Sequence, residues 1–140
     1  MDKQEAITQG LNLVENSEYC FLGTIREDGF PNIKGINNLK HEGLKKFWFS
    51  TNTSSKRVQQ LRKNKRACVY YVDGMDYKGL MLTGTMEVLQ DIASRKLLWF
   101  YGAEKYYPLG LEDPGYCVLR FTATEVNYYH ALENISFEIE

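Results

Sequence analysis

The amino-acid sequence predicts a mainly β domain (β+α), in which six antiparallel strands form a barrel that is flanked by helices. Short apolar runs rich in β-branched and aromatic residues recur along the chain, as is typical of strands. Two Asp-Gly pairs, Asp28-Gly29 and Asp73-Gly74, each separate two such runs and indicate hairpins. Helical patterns occur early, midway and late instead of alternating with every strand, which argues against a parallel sheet.

Three helices are predicted from caps and apolar spacing. Asp2 and Glu5 have the spacing of a capping box, and apolar residues then recur on one helical face. Asp91 is a suitable N-cap for the last helix, and the middle helix directs Val58 and Leu61 toward the core. The predicted helices span 2–16, 54–63 and 91–99 or 91–100.

Six strands account for the remaining apolar segments. In chain order they are 19–25, 32–40, 45–51, 66–72, 79–89 and 116–129. A turn at His41-Glu42-Gly43 separates the second strand from the third, and Pro108 and Pro114 lie in a loop before the last. Because no repeat, low-complexity tract or linker interrupts the chain, residues 1–140 are predicted to form a single domain.

Composition and charge exclude several classes of protein. Hydrophobic residues make up 44% and charged residues 25% of the chain, which is ordinary for a globular domain. A net charge of -1 gives no reason to expect a surface that grips a polyanion along its whole length. No apolar stretch approaches the ~20 residues of a membrane span, and the first residues lack a basic segment followed by an apolar one. We therefore expect a soluble, cytoplasmic protein without a membrane partner.

Cysteine and histidine residues give no metal-binding pattern. Cys20, Cys68 and Cys117 are odd in number, widely spaced and embedded in apolar runs, so buried thiols are expected. His41 and His130 are the only histidines, and neither stands in a ligand-spacing motif. The sequence therefore predicts no metal site.

One basic stretch indicates a ligand. Between Gly43 and Val72 there is no Asp or Glu, and eight of the seventeen cationic side chains lie there: Lys45, Lys46, Lys56, Arg57, Arg62, Lys63, Lys65 and Arg66. Lys56 and Arg57 open a predicted helix just after Ser55, although helix N-termini favour anions. A bound phosphate would reconcile this arrangement, because backbone N–H groups, hydroxyls and two cations would all hold it. A solvated basic face is the alternative.

Other phosphate motifs are missing, so a different cradle is needed. Neither GxxxxGK[ST] nor a strand-linked GxGxxG occurs. Lys34 offers a third cation on the second strand, and Gly35 either marks a bulge or lets a flat ligand approach the backbone.

The order and spacing of these features resemble the flavin-binding split barrel of the pyridoxamine 5'-phosphate oxidase-like superfamily, in its general stress protein 26-like branch. The resemblance covers nearly the whole chain. Its motifs are Gly23-Thr24-Ile25, Asp28-Gly29-Phe30-Pro31, the strand with Lys34, Phe47-Trp48-Phe49-Ser50-Thr51, Ser55-Lys56-Arg57-Val58, Leu61 with Asn64, and the strand from Leu82 to Val88. It implies a homodimeric, antiparallel six-stranded split β-barrel with flanking helices and with FMN at the subunit interface.

The resemblance also implies which residues contact FMN. The phosphate contacts carried over by position are Lys34, Ser50, Thr51, Ser55, Lys56 and Arg57. The isoalloxazine ring would lie along Gly35, Ile36 and Asn37, where backbone groups match its polar edge. Tyr129 falls where an aromatic residue of the partner subunit borders the ring, although it is equally a plain strand residue.

Departures from the family pattern argue against a true pyridoxamine 5'-phosphate oxidase. Lys34 stands where those oxidases have arginine, and Gly79 stands where they have a flavin-contacting glutamine. Those oxidases end with a segment whose arginine and histidine hold the substrate phosphate, whereas this chain runs Tyr128-Tyr129-His130-Ala131-Leu132-Glu133-Asn134 there, without an arginine.

Three functions are compatible with these residues. The first is an FMN-dependent oxidoreductase with a small-molecule electron donor and acceptor, acting in stress or redox metabolism, for which no catalytic residue can be named. The second is a non-catalytic protein that binds or senses flavin, haem or another planar cofactor. The third, disfavoured by the net charge, is a nucleic-acid binder that would use Phe47, Trp48 and Tyr70 as stacking surfaces.

Overall fold

The computed structural model describes residues 1–140 and contains three α-helices and eight β-strands. The helices are α1 (Lys3–Glu15), α2 (Lys56–Lys63) and α3 (Ile92–Leu98). The strands are β1 (Tyr19–Ile25), β2 (Pro31–Asn37), β3 (Lys40–Glu42), β4 (Lys46–Asn52), β5 (Arg66–Asp73), β6 (Lys78–Leu89), β7 (Tyr116–His130) and β8 (Glu133–Glu138). Two short 3₁₀ turns, Ala103–Lys105 and Gly110–Glu112, lie between α3 and β7.

All strands belong to one antiparallel sheet that does not close. Its order is β2-β1-β5-β6-β7-β4-β3, and β8 also pairs with β7. The two ends of this path, β2 and β3, form no ladder with each other. The curled sheet is therefore a split barrel, and the predicted mainly β, antiparallel fold with flanking helices is confirmed.

The structure adds two strands to the six predicted. The second predicted strand ends early because Asn38 uses its amide to bond the carbonyls of Val14 and Ser17, and the short, polar β3 follows. The last predicted strand continues through a turn at Ala131 into β8, an edge strand with no buried residue. β3 is too short and polar to be recognised from its pattern, whereas the alternation of Ile135 and Phe137, which pack partly buried against the main core, is a signal for β8 that the sequence prediction did not use.

The main core fills the concave side of the sheet. Its 23 buried residues include Phe47, Phe49 and Phe121 from the strands, and α1 and α2 cover it from above. Asp2 forms the predicted capping box with Glu5 at the start of α1. No helix is long and apolar enough to cross a membrane.

A smaller core lies on the opposite side of β4 and β7, beneath α3. Trp48, Tyr116 and Val118 form it. Arg95 of α3 is buried there and donates from Nη1 to the Leu111 carbonyl at 2.7 Å, so it ties α3 to the second 3₁₀ turn. The connector between β6 and β7 is thereby anchored against the sheet.

Candidate functional site

The gap between the free edge of β2 and the part of β4 that β3 does not cover, here called the seam, exposes backbone groups of β2. The Asn38 N–H donates to the Glu18 carbonyl and the Arg26 N–H donates to the Phe30 carbonyl. The backbone N–H and C=O groups of even-numbered residues in β2 therefore point toward β1. Alternation along an antiparallel ladder then turns the N–H and C=O groups of Gly35 and Asn37 away from β1. Because β2 is terminal, no further strand pairs with these groups, and all but the Gly35 carbonyl, which accepts from Arg57, are free to meet a ligand.

The β4 side of the seam follows the same logic. The Thr53 N–H donates to the Gly115 carbonyl and the Ala123 N–H donates to the Lys45 carbonyl. The backbone N–H and C=O groups of odd-numbered residues in β4 therefore point toward β7. The backbone groups of Ser50 consequently point away from β7, beyond the last residue that β3 covers.

A pocket of about 740 Å³ lies at the seam. Its polar lining consists of Asn37 from β2 and Ser50 and Asn52 from β4. Its apolar lining consists of Leu39, Leu97, Leu98, Trp99, Phe100, Tyr106 and Tyr107. This cavity, called the seam pocket below, is of the size that small-molecule sites have.

The first turn of α2 adjoins the seam. The Ser55 hydroxyl caps the helix by accepting from the Val58 N–H at 3.4 Å, as predicted for this residue type. The Arg57 guanidinium reaches across to β2 and donates to the Gly35 carbonyl at 3.4 Å. Burial lowers the pKa of Arg57, because its charge is partly desolvated with no carboxylate beside it. An anion at this point would relieve that cost.

Lys34, Lys56 and Thr51, the other residues predicted to contact the phosphate, do not lie with Arg57 at the seam. Lys56 is exposed and lines a separate polar groove beside the β1–β2 turn, on another side of α2 from Arg57. Lys34 is exposed and shares the α2-facing side of β2 with Asn32, by strand alternation. Thr51 is 7% exposed and turns toward the main core.

The convex face formed by β2, β1, β5, β6 and the C-terminal end of β7 is not covered by any helix and carries exposed apolar side chains, of which Tyr19 is 53%, Ile33 67% and Met81 41% exposed. We call it the outer face. Tyr19 lies over Gly35, where an added Cβ would come within 2.8 Å of its ring. The glycine that the sequence assigns to a flat ligand thus accommodates a tyrosine of this chain.

Tyr129 also belongs to the outer face. Its ring lies over Gly79, directly opposite on β6, and its hydroxyl is 2.7 Å from the Tyr70 hydroxyl. Burial, together with this hydrogen bond, raises the pKa of Tyr70 to about 12. Tyr129 is on β7, which also pairs with β4, but Ser50 lies opposite Val118 near the other end of β7, so one chain does not bring Tyr129 to the seam.

The structure thus brings together Gly35, Asn37, Ser50, Ser55 and Arg57 around the seam. Ile36 is adjacent, but its side chain is 5% exposed and its backbone pairs with Cys20. Lys34, Thr51, Lys56 and Tyr129 lie outside this group, in the places described above.

Sequence reasoning missed the aromatic wall of the seam pocket, formed by Trp99, Phe100, Tyr106 and Tyr107. Their density within 99–107 is the signal that could have revealed it. The stacking surface considered for nucleic acid is wrong for two residues, since Phe47 and Trp48 are 0% and 8% exposed.

A family model described as "Pyridoxamine 5'-phosphate oxidase like" matches residues 5–140. The chain belongs to the pyridoxamine 5'-phosphate oxidase-like family. Within this family it is similar to a Clostridium acetobutylicum protein related to general stress protein 26 of Bacillus subtilis, with 50% identity over 99% of this chain and 97% of that one, and a TM-score of 0.88. The general stress protein 26-like branch is thereby confirmed.

More distant members of the fold bear other names. General stress protein 26 of Bacillus anthracis is 20% identical over 98% of this chain and 100% of that chain, with a TM-score of 0.74. A heme binding protein of Mycobacterium smegmatis is 15% identical over 99% of this chain and 60% of that chain, with a TM-score of 0.79. At these identities the likeness concerns the fold alone. No match was found among curated proteins.

Proposed function

We propose that the protein is an FMN-dependent oxidoreductase that works as a cytoplasmic homodimer, with FMN at the subunit interface. The observation that carries the proposal is the convergence of Arg57 and the free backbone groups of Gly35, Asn37 and Ser50 on one seam. Bound FMN would supply electron transfer at its ring, and the chain would supply the anchoring and orientation of that ring.

The chemistry of the donor set fits a flavin phosphate at the start of α2. Unpaired N–H groups of the first turn and the guanidinium of Arg57 are all donors, and no carboxylate forms an ion pair with Arg57, Lys56 or Lys34. Lys34 and Lys56 would then neutralise charge from the solvent side. The Ser50 hydroxyl would contact the flavin from the β4 side of the seam, at the edge of the seam pocket and away from Arg57.

The ring of FMN would lie along β2. Its polar edge needs both donors and acceptors, and the outward N–H of Gly35 and the outward N–H and C=O of Asn37 offer them, while the Gly35 carbonyl accepts from Arg57. Ile36 would hold this segment of β2 in place through its buried side chain.

The outer face supports the homodimer. Exposed apolar residues, including Tyr19, Phe21 and Met81, lie on this face, and exposed apolar patches are typical of interaction surfaces. Pairing two outer faces would bury these side chains. Tyr129 lies on the same face and would then belong to the subunit interface.

The placement of the histidines favours FMN over haem. His41 lies on β3 with Nδ1 2.9 Å from the Gly43 carbonyl, and His130 lies near Asp76 at the other end of the sheet. Neither lines the seam pocket, so the pocket offers no imidazole ligand for iron.

Titration with FMN and with riboflavin tests the proposal. Arg57→Ala should weaken FMN about tenfold to hundredfold, the loss of a charge-assisted hydrogen bond, and should leave riboflavin unchanged. Arg62→Ala is the matched control, because Arg62 lies on the same helix but donates to Gln90 at 2.9 Å. An unshifted flavin spectrum at excess native protein would refute the proposal, as would equal losses in the two variants.

Turnover separates catalysis from flavin binding alone. The seam pocket contains no carboxylate or histidine, and its only titratable side chains are the phenols of Tyr106 and Tyr107, so its composition fits a pure flavin carrier as well as an enzyme. Oxidation of NADH or NADPH by the loaded protein in the presence of an electron acceptor would identify the enzyme. Loaded protein that reduces no acceptor would identify the carrier.

A further inference from the structure

We propose that the seam pocket binds a neutral, planar aromatic molecule, and that this class supplies the substrate of the proposed oxidoreductase. The substrate role depends on the proposed function, whereas the binding preference depends on the pocket alone. Three observations carry the inference, namely the uncharged lining, the prearranged aromatic wall and the uncommitted amide at its edge.

The lining excludes a charged ligand. None of the ten residues around the pocket is Lys, Arg, His, Asp or Glu. α3 ends at Leu98 beside the pocket, and the two cations of its last turn, Lys96 and the buried Arg95, are not part of the lining; Arg95 donates to the Leu111 carbonyl instead. A phosphate, sulfonate or carboxylate would therefore lose its hydration without gaining a counterion. The cation that serves a phosphate, Arg57, lies outside this lining.

The aromatic wall is held in place before any ligand arrives. The ring centroids of Trp99 and Tyr116 are 5.3 Å apart, and those of Tyr107 and Tyr116 are 4.8 Å apart. Because Tyr116 is fully buried in the smaller core, Trp99 and Tyr107 are supported from behind. Phe100 and Tyr106 stand at the rim, 42% and 66% exposed, and can close on a flat ring at little cost in ordering.

Polar groups opposite the wall set the orientation of the ligand. Asn52 accepts from the Ser54 hydroxyl through Oδ1 at 2.6 Å, which leaves its amide N–H₂ free to donate. Ser50 and Asn37 complete a polar side that faces the aromatic one. A ring with carbonyl or similar acceptor oxygens at its margin fits between the two sides.

Equilibrium dialysis of a matched ligand pair tests the inference. We expect 2-methyl-1,4-naphthoquinone to bind FMN-free and FMN-loaded protein at least tenfold more tightly than 1,4-naphthoquinone-2-sulfonate. Phe100→Ala should weaken the neutral quinone about threefold to tenfold. Tyr101→Ala is the control, since Tyr101 is fully exposed, adjacent in the chain and absent from the pocket lining.

The outcomes separate this inference from the proposed function. Equal or tighter binding of the sulfonate, or equal effects of the two variants, would overturn the inference even if FMN binds as proposed. Binding of the neutral quinone with no binding of FMN would overturn the proposed function and leave the pocket preference standing.

Discussion

Substitution of Gly84 by alanine should destabilise the fold more than any other glycine change away from the seam. Gly84 lies at the register shift between β6 and β7, and a Cβ built there falls 2.0 Å from the Thr122 carbonyl oxygen. Real Cβ atoms essentially never approach within 3.0 Å, so backbone must move by at least 1.0 Å, the difference between the two distances. The neighbours at 2.9 and 3.0 Å are also backbone atoms, of Thr122 and Ala123, and cannot turn aside.

Overpacking of this kind costs up to about 3 kcal/mol, and disturbed ladder hydrogen bonds add about 1 kcal/mol each. We therefore expect Gly84→Ala to lower the free energy of unfolding by about 3 kcal/mol or more, and Tm by about 10 °C. Urea unfolding followed by tryptophan fluorescence and circular dichroism measures the first quantity. Gly74→Ala is the control, because nothing lies within 4 Å of its added Cβ. A Gly84→Ala midpoint within error of the control would refute the reasoning.

Three further predictions concern titration and capping. Tyr129→Phe should lower the pKa of Tyr70 from about 12, but part of the increase should remain, because burial of Tyr70 is a larger cause than its hydrogen bond to Tyr129. Ultraviolet titration of the phenols measures this pKa, and the Tyr70→Phe variant identifies which signal belongs to Tyr70. Burial raises the pKa of Cys20 and Cys117 to about 11 from 9.0. The free energy of unfolding that these thiols contribute below pH 9 should therefore be lost as the pH rises toward 11. A variant with alanine at both positions should lose less stability over the same pH range. Ser55→Ala should cost about 1 kcal/mol of stability through the lost cap, whereas Ser55→Asp should keep the cap and weaken FMN by repulsion.

Local signals explain why much of the fold could be predicted. Asp28-Gly29 and Asp73-Gly74 fix hairpins over a few residues, and Asp2 and Ser55 cap helices through contacts three residues away. These interactions need no knowledge of the tertiary structure. The ends of β2 and β7 were harder to predict from the sequence. β2 ends where the amide of Asn38 bonds a carbonyl distant in the chain, and β7 ends where Ala131 adopts a positive φ, and a hydrophobic pattern indicates neither.

The candidate site was predicted in part for a similar reason. Sequence adjacency made Lys56 and Arg57 look equivalent, but neighbouring helical residues point about 100° apart, and only Arg57 meets β2. Strand alternation likewise separates Thr51 from Ser50. The split of the sheet itself depends on which strands fail to pair, and no single segment carries that information.

The aromatic wall belongs to the connector between β6 and β7, while the anchoring groups of the seam belong to strands and α2. The residues proposed to select the ligand and the residues that form the barrel therefore lie in different segments of the chain. A series of variants at the exposed rim residues Phe100 and Tyr106, with Trp99, Tyr107 and the Arg95 bond to the Leu111 carbonyl kept, would vary the ligand while the packing under the connector is retained.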